Sequence, residues 1–329
     1  MPTDGYLRLI EQLYVTGVVS LDQALSCMIV LKHEIRYLFL GLFAAALGGV
    51  LFGLLKKDTE IRKRSGTWLL IIAFFFVGLG ISSKLTTWFF AYLSFLALRE
   101  YIGIIDTRKS DHATLFWLFP AIIAQYYWVA IDWYGMFIIF IPVYLFLFVP
   151  LRLVLAGETT GFLRSASVIQ WGAMTTIFPV SHVAFLARLP THGYAHGLGY
   201  VMALLVMTAS NDVFQFISGK TFKGPKIIPK ISPGKTWSGF LGGVFCSALL
   251  GALLLPWLTD YPRVWGAVVG ALLSVCGFFG DVVESAIKRD IGIKDSGDIL
   301  PGHGGILDRI DSLIYTAPVF FHLTRYLYH

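Results

Sequence analysis

The chain has 329 residues, of which 56% are hydrophobic and 14% are charged, and its formal net charge is +6. Soluble globular proteins carry about 25% charged residues, so this composition excludes an ordinary cytosolic enzyme. Apolar runs of about 17–25 residues recur, which is the length needed to cross a hydrocarbon core about 30 Å thick. The sequence therefore predicts an all-α, polytopic integral membrane protein with about nine to eleven transmembrane helices.

The predicted spans are the apolar runs between charged residues. They lie near residues 12–31, 37–55, 67–83, 85–103, 112–131, 133–151, 163–187, 195–217, 236–257, 262–283 and 306–327. Asp22 and Gln23 interrupt the first run, so an amphipathic helix at the membrane surface is an equally good interpretation there. The first residues lack the basic region and the cleavage site of a signal peptide, so we expect this segment to be retained.

Basic residues are distributed unevenly between the two predicted sides of the membrane. One side collects 19 of the 26 lysines and arginines, and the other side has four. Because basic residues concentrate in cytoplasmic loops, the richer side should face the cytoplasm. The two most polar segments, 218–235 and 285–311, then share that side. The chain has no N-x-[ST] sequon, which is compatible with the bacterial inner (cell) membrane that we expect.

Several polar residues in the first half of the chain are explained without a catalytic or metal-binding role. Arg99 and Glu100 end an apolar run and are predicted to be anchors at the membrane interface. His182, His192 and His196 fall near the opposite side, where we do not expect metal binding. Residues 1–200 are therefore predicted to form a scaffold of transmembrane helices, and residues 201–329 a catalytic transmembrane domain.

The first polar segment of the C-terminal third begins at Asn211 and Asp212, inside an otherwise apolar run. Five lysines follow in a loop rich in glycine and proline, which ends in the sequence SPGKT at residues 232–236. Positive-inside topology explains the first four lysines. Lys235 and Thr236 follow a Pro-Gly turn directly before a span. They are better candidates for phosphate binding, although the Walker pattern is absent.

Acidic, hydroxyl and basic residues then repeat at helical spacing on both sides of the last loop. The first set is Asp281, Glu284, Ser285 and Lys288, and the second is Asp308, Asp311, Ser312 and Tyr315. Carboxylates at membrane depth are unfavourable unless they are paired or bind a metal, so these acids are candidates for function. They could instead pair with Lys288, Arg289 and Arg309 for structure alone, but so many compensating charges are an unfavourable way to join two helices.

The loop between these two sets combines both signs of charge with glycine. It contains Lys294, Asp295 and the sequence PGHGG at residues 301–305. Carboxylates bind hard cations, basic side chains bind phosphate, and glycine lets backbone N–H groups approach an anion. His303 could donate a hydrogen bond to a phosphate. The segment predicts a membrane enzyme that acts on a phosphorylated lipid in a polar, cytoplasmic-side cavity of the C-terminal third.

This segment resembles the signature of the phosphatidate cytidylyltransferase (CDP-diacylglycerol synthase) family. The matching residues are Ser285, Lys288-Arg289, Lys294-Asp295, His303-Gly304-Gly305 and Asp308-Arg309-Ile310-Asp311. The stretch SPGKTWSG at 232–239 resembles the SPxKTxEG element of that family, and Asn211-Asp212 falls where the family carries an acidic residue. The resemblance covers residues 208–315.

The resemblance implies the reaction of CTP with phosphatidate to give CDP-diacylglycerol and pyrophosphate, with Mg²⁺ as the cofactor. It implies that Asp281 and Asp308 are the principal metal ligands and that Asp311 is a further ligand or lies directly behind them. Lys288 and Arg309 would act with them in catalysis by neutralising phosphate charge. The residues implied to bind substrate or phosphate are Asp212, Ser232, Lys235, Thr236, Ser285, Arg289, Lys294, Asp295, His303, Gly304 and Gly305.

Three alternatives remain open. The acceptor could be another lipid phosphate, such as an isoprenoid ether. The protein could be a lipid kinase, or an ion-coupled transporter whose intramembrane acids form an ion path. A transporter should have paired broken helices in corresponding halves of the chain, and the sequence has no such similarity. We expect CTP, a lipid phosphate and membrane lipids as partners, no nucleic acid, and a homodimer by resemblance to the family.

Overall fold

The computed structural model describes residues 33–56, 59–80, 83–191, 197–297 and 304–329. The predicted span or surface helix at 12–31 lies outside the described residues, as do His192, His196 and His303. Most of the described chain is helical. Its described residues form no β-strand, and Lys226 and Thr236 form an isolated antiparallel bridge.

The first part of the chain forms nine helices among the described residues. They are α1 His33–Leu55, α2 Thr59–Gly80, α3 Ser83–Ile104, α4 His112–Leu115, α5 Leu118–Ala130, α6 Tyr134–Ile139, α7 Phe146–Val154, α8 Phe162–Thr176 and α9 Phe178–Leu186. A π-helical stretch, Phe140–Leu145, joins α6 to α7. The second part forms α10 Leu198–Phe222, α11 Trp237–Leu258, α12 Arg263–Ile291, α13 Leu307–Ile310 and α14 Leu313–Tyr328.

Six segments of the described chain are long and apolar enough to cross a membrane. They are Tyr37–Leu55, Lys109–Ala130, Tyr134–Val154, Leu198–Phe222, Trp237–Leu258 and Arg263–Ile291. A helix suits the bilayer because it pairs its own backbone groups where water is absent. The predicted all-α, multi-pass membrane architecture is confirmed. The count of nine to eleven spans stays a prediction, since the other described helices do not combine that length with that hydropathy.

Helices α10, α11 and α12 pack closely because small residues line their contacts. A Cβ atom added at Gly270 of α12 would overlap the backbone of Ser247 on α11, and one added at Gly243 of α11 would overlap the side chain of Gln215 on α10. Small residues let helix backbones approach in a bilayer, where association depends on packing and hydrogen bonds. These three helices therefore hold one another at short range.

Asn211 connects the same three helices from inside. Its Oδ1 atom accepts hydrogen bonds from the Ser247 hydroxyl at 3.4 Å and the Ser274 hydroxyl at 2.5 Å, and its Nδ2 atom donates to the Ser274 carbonyl oxygen at 3.5 Å. Asn211 is 1% exposed, and a buried amide is stable only when it is paired. The side chain therefore fixes α10 against α11 and α12, and with it the position of Asp212.

The predicted span at 306–327 is divided. Helix α13 ends at Ile310, and α14 begins at Leu313. A Cβ atom at Gly280 would lie 3.0 Å from the Cα atom of Ser312 and would overlap the carbonyl oxygen of Asp311. Because glycine leaves that space free, α12 touches the junction between α13 and α14 directly.

The two predicted domains are in contact. Helix α9 packs on α14, where the rings of Phe185 and Phe321 lie 5.1 Å apart. The two rings are almost completely buried. The division of the chain near residue 200 into a scaffold and a catalytic part stays a prediction.

Candidate active site

Three acidic side chains from separate elements converge near one end of α11. They are Asp212 on α10, Asp281 on α12 and Asp311 at the junction of α13 and α14. Asp311 lies outside the six segments that can cross the membrane. Burial raises the pKa of Asp311 well above its ordinary value, and the carboxylates of Asp281 and then Asp212 raise that pKa further. The three carboxylates are thus close enough to repel one another, which favours a bound cation.

The repulsion predicts that Asp311→Asn will raise the thermal unfolding midpoint of the detergent-solubilised protein at neutral pH with a chelator present. The folded-state pKa of Asp311 lies above its unfolded value, so stability falls as pH rises from the unfolded pKa through the folded pKa. The wild-type protein should regain stability on acidification through that interval, and the Asn variant should have lost this part of the pH dependence. A variant that is less stable than wild type across the whole pH range would contradict this origin of the shift.

Lys235 reaches the acidic group from the loop before α11. Its Nζ atom forms an ion pair with Asp281 and donates a hydrogen bond to Oε1 of Gln215 at 3.2 Å. The same ammonium lies 5.6 Å from the centre of the Phe278 ring. The positive charge of Lys235 therefore neutralises the negative charge of Asp281, one of the three carboxylates. A phosphate that binds beside Lys235 would share its ammonium group with Asp281.

A cavity of about 270 Å³ opens beside Lys235 at the beginning of α11. Its lining residues are Asp212, Gln215, Phe216, Ser232, Gly234, Lys235, Thr236, Gly239 and Phe240. Thr236 is the N-cap of α11, and its hydroxyl accepts a hydrogen bond from the backbone N–H of Gly239 at 3.2 Å. The beginning of a long helix favours an anion because its first N–H groups are free and its dipole is positive there. Four of the predicted substrate-binding residues line this one cavity: Asp212, Ser232, Lys235 and Thr236.

Asp308 belongs to a second polar group, in which both of its carboxylate oxygens are occupied. Oδ1 accepts from Nζ of Lys288 at 2.7 Å. Oδ2 accepts from the N–H of Gly305 at 2.9 Å and from the N–H and hydroxyl of Ser296, each at 3.0 Å. Burial acts to raise the pKa of Asp308, but the hydrogen bonds from Lys288, Gly305 and Ser296 together hold it below its ordinary value. Asp308 is therefore ionised and fixed in place.

The end of the glycine-rich loop is shaped for these contacts. Gly304 has a φ of +76°, a left-handed conformation that glycine adopts at no steric cost. The turn directs the N–H of Gly305 at Asp308. Lys288 also lies close enough to Asp311 to lower its pKa. The Lys288 ammonium thus links the second polar group to the three converging acids.

The proposed magnesium ligands fit a hard cation in charge and atom type. Asp281 and Asp311 supply oxygen ligands whose mutual repulsion a divalent cation would relieve. Asp308 could join them only by sharing its oxygens with Lys288 and the loop. Within the described ranges, no group of three or more His, Cys, Asp or Glu side chains is already arranged to hold a metal ion.

The remaining predicted site residues surround these two groups. Ser285 donates a hydrogen bond to Oδ1 of Asp281 at 3.4 Å, as their helical spacing predicts. Arg309 is exposed and interacts electrostatically with Asp212. Lys294 and Asp295 are exposed on the loop, and Arg289, also exposed, donates to the carbonyl oxygen of Ile293 at 3.1 Å. His303 is not among the described residues.

The sequence did not reveal how two residues, Ser296 and Glu100, contribute to this region. Ser296 supplies two of the hydrogen bonds to Asp308. Glu284, which the sequence does include among the candidate acids, is 4% exposed, and its Oε1 atom has no hydrogen-bond partner among the described residues. Glu100, predicted to be an anchor at the membrane interface, is 8% exposed and contacts the loop that precedes α13. That prediction was wrong, because the partner of Glu100 lies about two hundred residues away in the sequence.

Comparison with known proteins adds independent information. Residues 62–327 match the model of a family described as the cytidylyltransferase family. An uncharacterized Escherichia coli K12 protein, YnbB, is 43% identical over 271 residues, which is 82% of this chain and 89% of that protein. A protein named phosphatidate cytidylyltransferase from Brucella abortus is 42% identical over 126 residues, or 38% of this chain and 46% of its own length. One of the same name from Rickettsia typhi is 39% identical over 156 residues, or 45% of this chain and 66% of its own.

Proposed function

Because this chain belongs to the cytidylyltransferase family, and is thus a nucleotidyltransferase, we propose that it is a phosphatidate cytidylyltransferase. It would convert CTP and phosphatidate to CDP-diacylglycerol and pyrophosphate. The relatives that carry this name match 38% and 45% of the chain and support the choice of acceptor. The observation that supports the proposal is the ion pair between Lys235 and Asp281 at the cavity, because an ammonium group of the kind that binds phosphate lies there beside carboxylates of the kind that bind a divalent metal.

In the proposed reaction, an oxygen of the lipid phosphate attacks the α-phosphorus of CTP. A bond forms between that oxygen and the α-phosphorus, and the bond from the α-phosphorus to the oxygen bridging it to the β-phosphorus breaks. Pyrophosphate leaves with the electron pair. The attacking phosphate is already ionised at neutral pH, so no general base is needed. Such a transfer depends on positioning and on neutralising charge.

The residues of the cavity suit the nucleotide. Lys235 and the first N–H groups of α11 would hold the phosphates of CTP, and Ser232 would add a hydroxyl donor. Arg309 and the exposed Lys294 would neutralise the charge that builds up on pyrophosphate. Lys288, held by Asp308, would contribute a second positive charge close to Asp311.

We propose that Asp281, Asp308 and Asp311 hold Mg²⁺. The resemblance implies that Asp281 and Asp308 are the principal ligands, and Asp308 would bind the ion by sharing its oxygens with Lys288 and the loop. When bound, this ion would supply charge neutralisation for the attacking and leaving oxygens. Lys235, which pairs with Asp281 and lines the cavity, would bind the triphosphate.

The cavity also adjoins surface that suits lipid. Phe216 lines the cavity and is 61% exposed, and Trp237, next to the cap of α11, is 48% exposed. In a multi-pass membrane protein, such exposed apolar side chains would be suited to contact with lipid. A lipid phosphate could therefore enter the cavity while its tails remain in the bilayer.

We further propose that the site faces the cytoplasm of a bacterial inner membrane. The bias of basic residues toward this side supports that orientation, and CTP is supplied there. The homodimer expected from the resemblance remains a prediction.

The test is an assay of the purified full chain in detergent with CTP, Mg²⁺ and phosphatidate. The proposal predicts that pyrophosphate and a CDP-linked lipid form in equal amounts, and only when the lipid phosphate is present. Formation of CDP with a more highly phosphorylated lipid would instead identify a kinase. An ether-linked isoprenoid phosphate forms the second arm, and faster transfer to it than to phosphatidate would replace the proposed acceptor.

A further inference from the structure

Glu100 lies near the end of α3, in the predicted scaffold, yet its carboxylate contacts the chain next to Asp308. Oε2 accepts a hydrogen bond from the N–H of Ile306 at 2.8 Å, and Oε1 accepts from the N–H of Leu307 at 3.2 Å. The Ser296 hydroxyl, which has one proton to donate, lies within hydrogen-bond reach of Oε1 as well as of Asp308 Oδ2. Glu100 is 8% exposed. A buried carboxylate with several donors forms strong, charge-assisted hydrogen bonds.

The surrounding backbone is built to admit this carboxylate. A Cβ atom added at Gly305 would overlap Oε1 of Glu100 and the hydroxyl of Ser296. Glycine at this position therefore lets the carboxylate approach the loop. No other side-chain acceptor for the N–H groups of Ile306 and Leu307 is present among the described residues.

Glu100 and Asp308 share their partners. The Ser296 hydroxyl lies within hydrogen-bond reach of both carboxylates. Glu100 binds the two residues that follow Gly305, while Asp308 binds Gly305 itself. A movement of the loop away from Glu100 would thus withdraw the Gly305 N–H and the Ser296 hydroxyl from Asp308. Asp308 in turn orients Lys288.

We propose that Glu100 is a positioning residue of the transfer site, through which the first part of the chain holds residues 304–307. This inference rests on the proposed function. Glu100 is absent from the lining of the cavity beside Lys235, so it acts through Ser296, Gly305 and Asp308 and not on the nucleotide. Its loss should therefore reduce kcat more than it changes the KM for CTP.

The experiment compares Glu100→Gln and Glu100→Asp with Arg99→Gln. Gln keeps the size of the side chain but lacks the charge. Its NH₂ group is itself a donor and cannot accept a hydrogen bond from the N–H groups of Ile306 and Leu307. Asp keeps the charge but is one methylene shorter. Arg99 is the neighbouring residue on α3 and is exposed, so its variant controls for a change at this end of the helix.

Two readouts separate positioning from general stability. Loss of a residue that holds a metal ligand in place through hydrogen bonds typically reduces activity about 10–100-fold. We expect a loss of that size in kcat for Glu100→Gln. The KM for CTP should change less than about threefold, and Glu100→Asp should recover part of kcat. Hydrogen exchange should accelerate at Ile306 and Leu307 in Glu100→Gln but not in α11, and Arg99→Gln should match wild type in both readouts.

Three results would overturn the inference. They are an unchanged kcat in Glu100→Gln, unchanged exchange at Ile306 and Leu307, or faster exchange throughout α10, α11 and α12, which would assign Glu100 to the general stability of the fold. If the wild-type protein transfers no cytidylyl group, the proposed function fails. The exchange measurement still decides whether Glu100 holds the loop.

Discussion

The substitution Asp281→Asn should lower the turnover number for cytidylyl transfer by about a thousandfold, the upper range for loss of one group that stabilises transition-state charge. Asp281 contacts Lys235 and Ser285 and lies next to Asp311. An amide at this position would be a poor ligand for the proposed cation, and transfer should fail for lack of charge neutralisation. The KM for CTP should not rise, since Lys235 would lose a competing partner.

The fold should tolerate this change. Asp281→Asn removes the ion pair with Lys235, but it also removes the repulsion between the carboxylates of Asp281 and Asp311, and the two effects oppose each other. The thermal unfolding midpoint in detergent should therefore stay close to that of wild type. Asp290→Asn is the matched control, because Asp290 is exposed on the same helix and should retain full activity. An Asp281→Asn protein with wild-type turnover would refute the proposed role of Asp281.

The second large effect concerns the buried pair of Lys288 and Asp308, whose side chains are 10% and 8% exposed. Asp308→Asn would leave the Lys288 ammonium buried without its carboxylate, and breaking such a pair costs about 3–5 kcal/mol. Adding Lys288→Met removes the unpaired charge, while the amide oxygen introduced by Asp308→Asn can still accept from Ser296 and Gly305. The double variant should therefore recover most of the lost stability.

Activity should respond differently from stability in this series. Both Asp308→Asn and the double variant should be inactive, since neither supplies the carboxylate or the correctly held ammonium. Unfolding midpoints and turnover numbers of wild type, the two single variants and the double variant provide the measurement. If the double variant lost the sum of the stability losses of the single variants, the pair would not be coupled as its geometry indicates.

Helical spacing was a sound guide to the local arrangement of the site. Asp281 and Ser285 are one turn apart on α12 and contact each other, as the sequence predicts. Asp212 and Gln215, three residues apart on α10, likewise line one cavity. These relations hold because a helix fixes which side chains share a face within a few residues.

Pairing between elements could not be predicted in the same way. The sequence placed Lys288 and Asp308 on facing helices, but periodicity does not say that Asp308 takes the ammonium as its direct partner. It also did not predict the break between α13 and α14, where Gly280 touches the backbone of Asp311 and Ser312. Both features depend on how two helices pack against each other. The spacing of residues within one helix does not determine that packing.

The contribution of Glu100 shows the same limit at longer range. An acidic residue at the end of an apolar run is typical of a membrane interface, and the alternative becomes visible only when α3 is placed against the start of α13. The preference of Thr236 for a helix cap is, by contrast, local. A threonine directly before an apolar helical run is a common N-cap, and the structure gives it that contact.

The most direct test of the proposed chemistry follows the fate of each phosphorus of CTP. The purified protein would be incubated with phosphatidate and with CTP labelled either at the α-phosphorus or at the γ-phosphorus, and the lipid would then be extracted. The predicted result is that the α-label enters the lipid and the γ-label is recovered only in pyrophosphate. Label from the γ-position in the lipid, or no label in the lipid from either position, would contradict cytidylyl transfer.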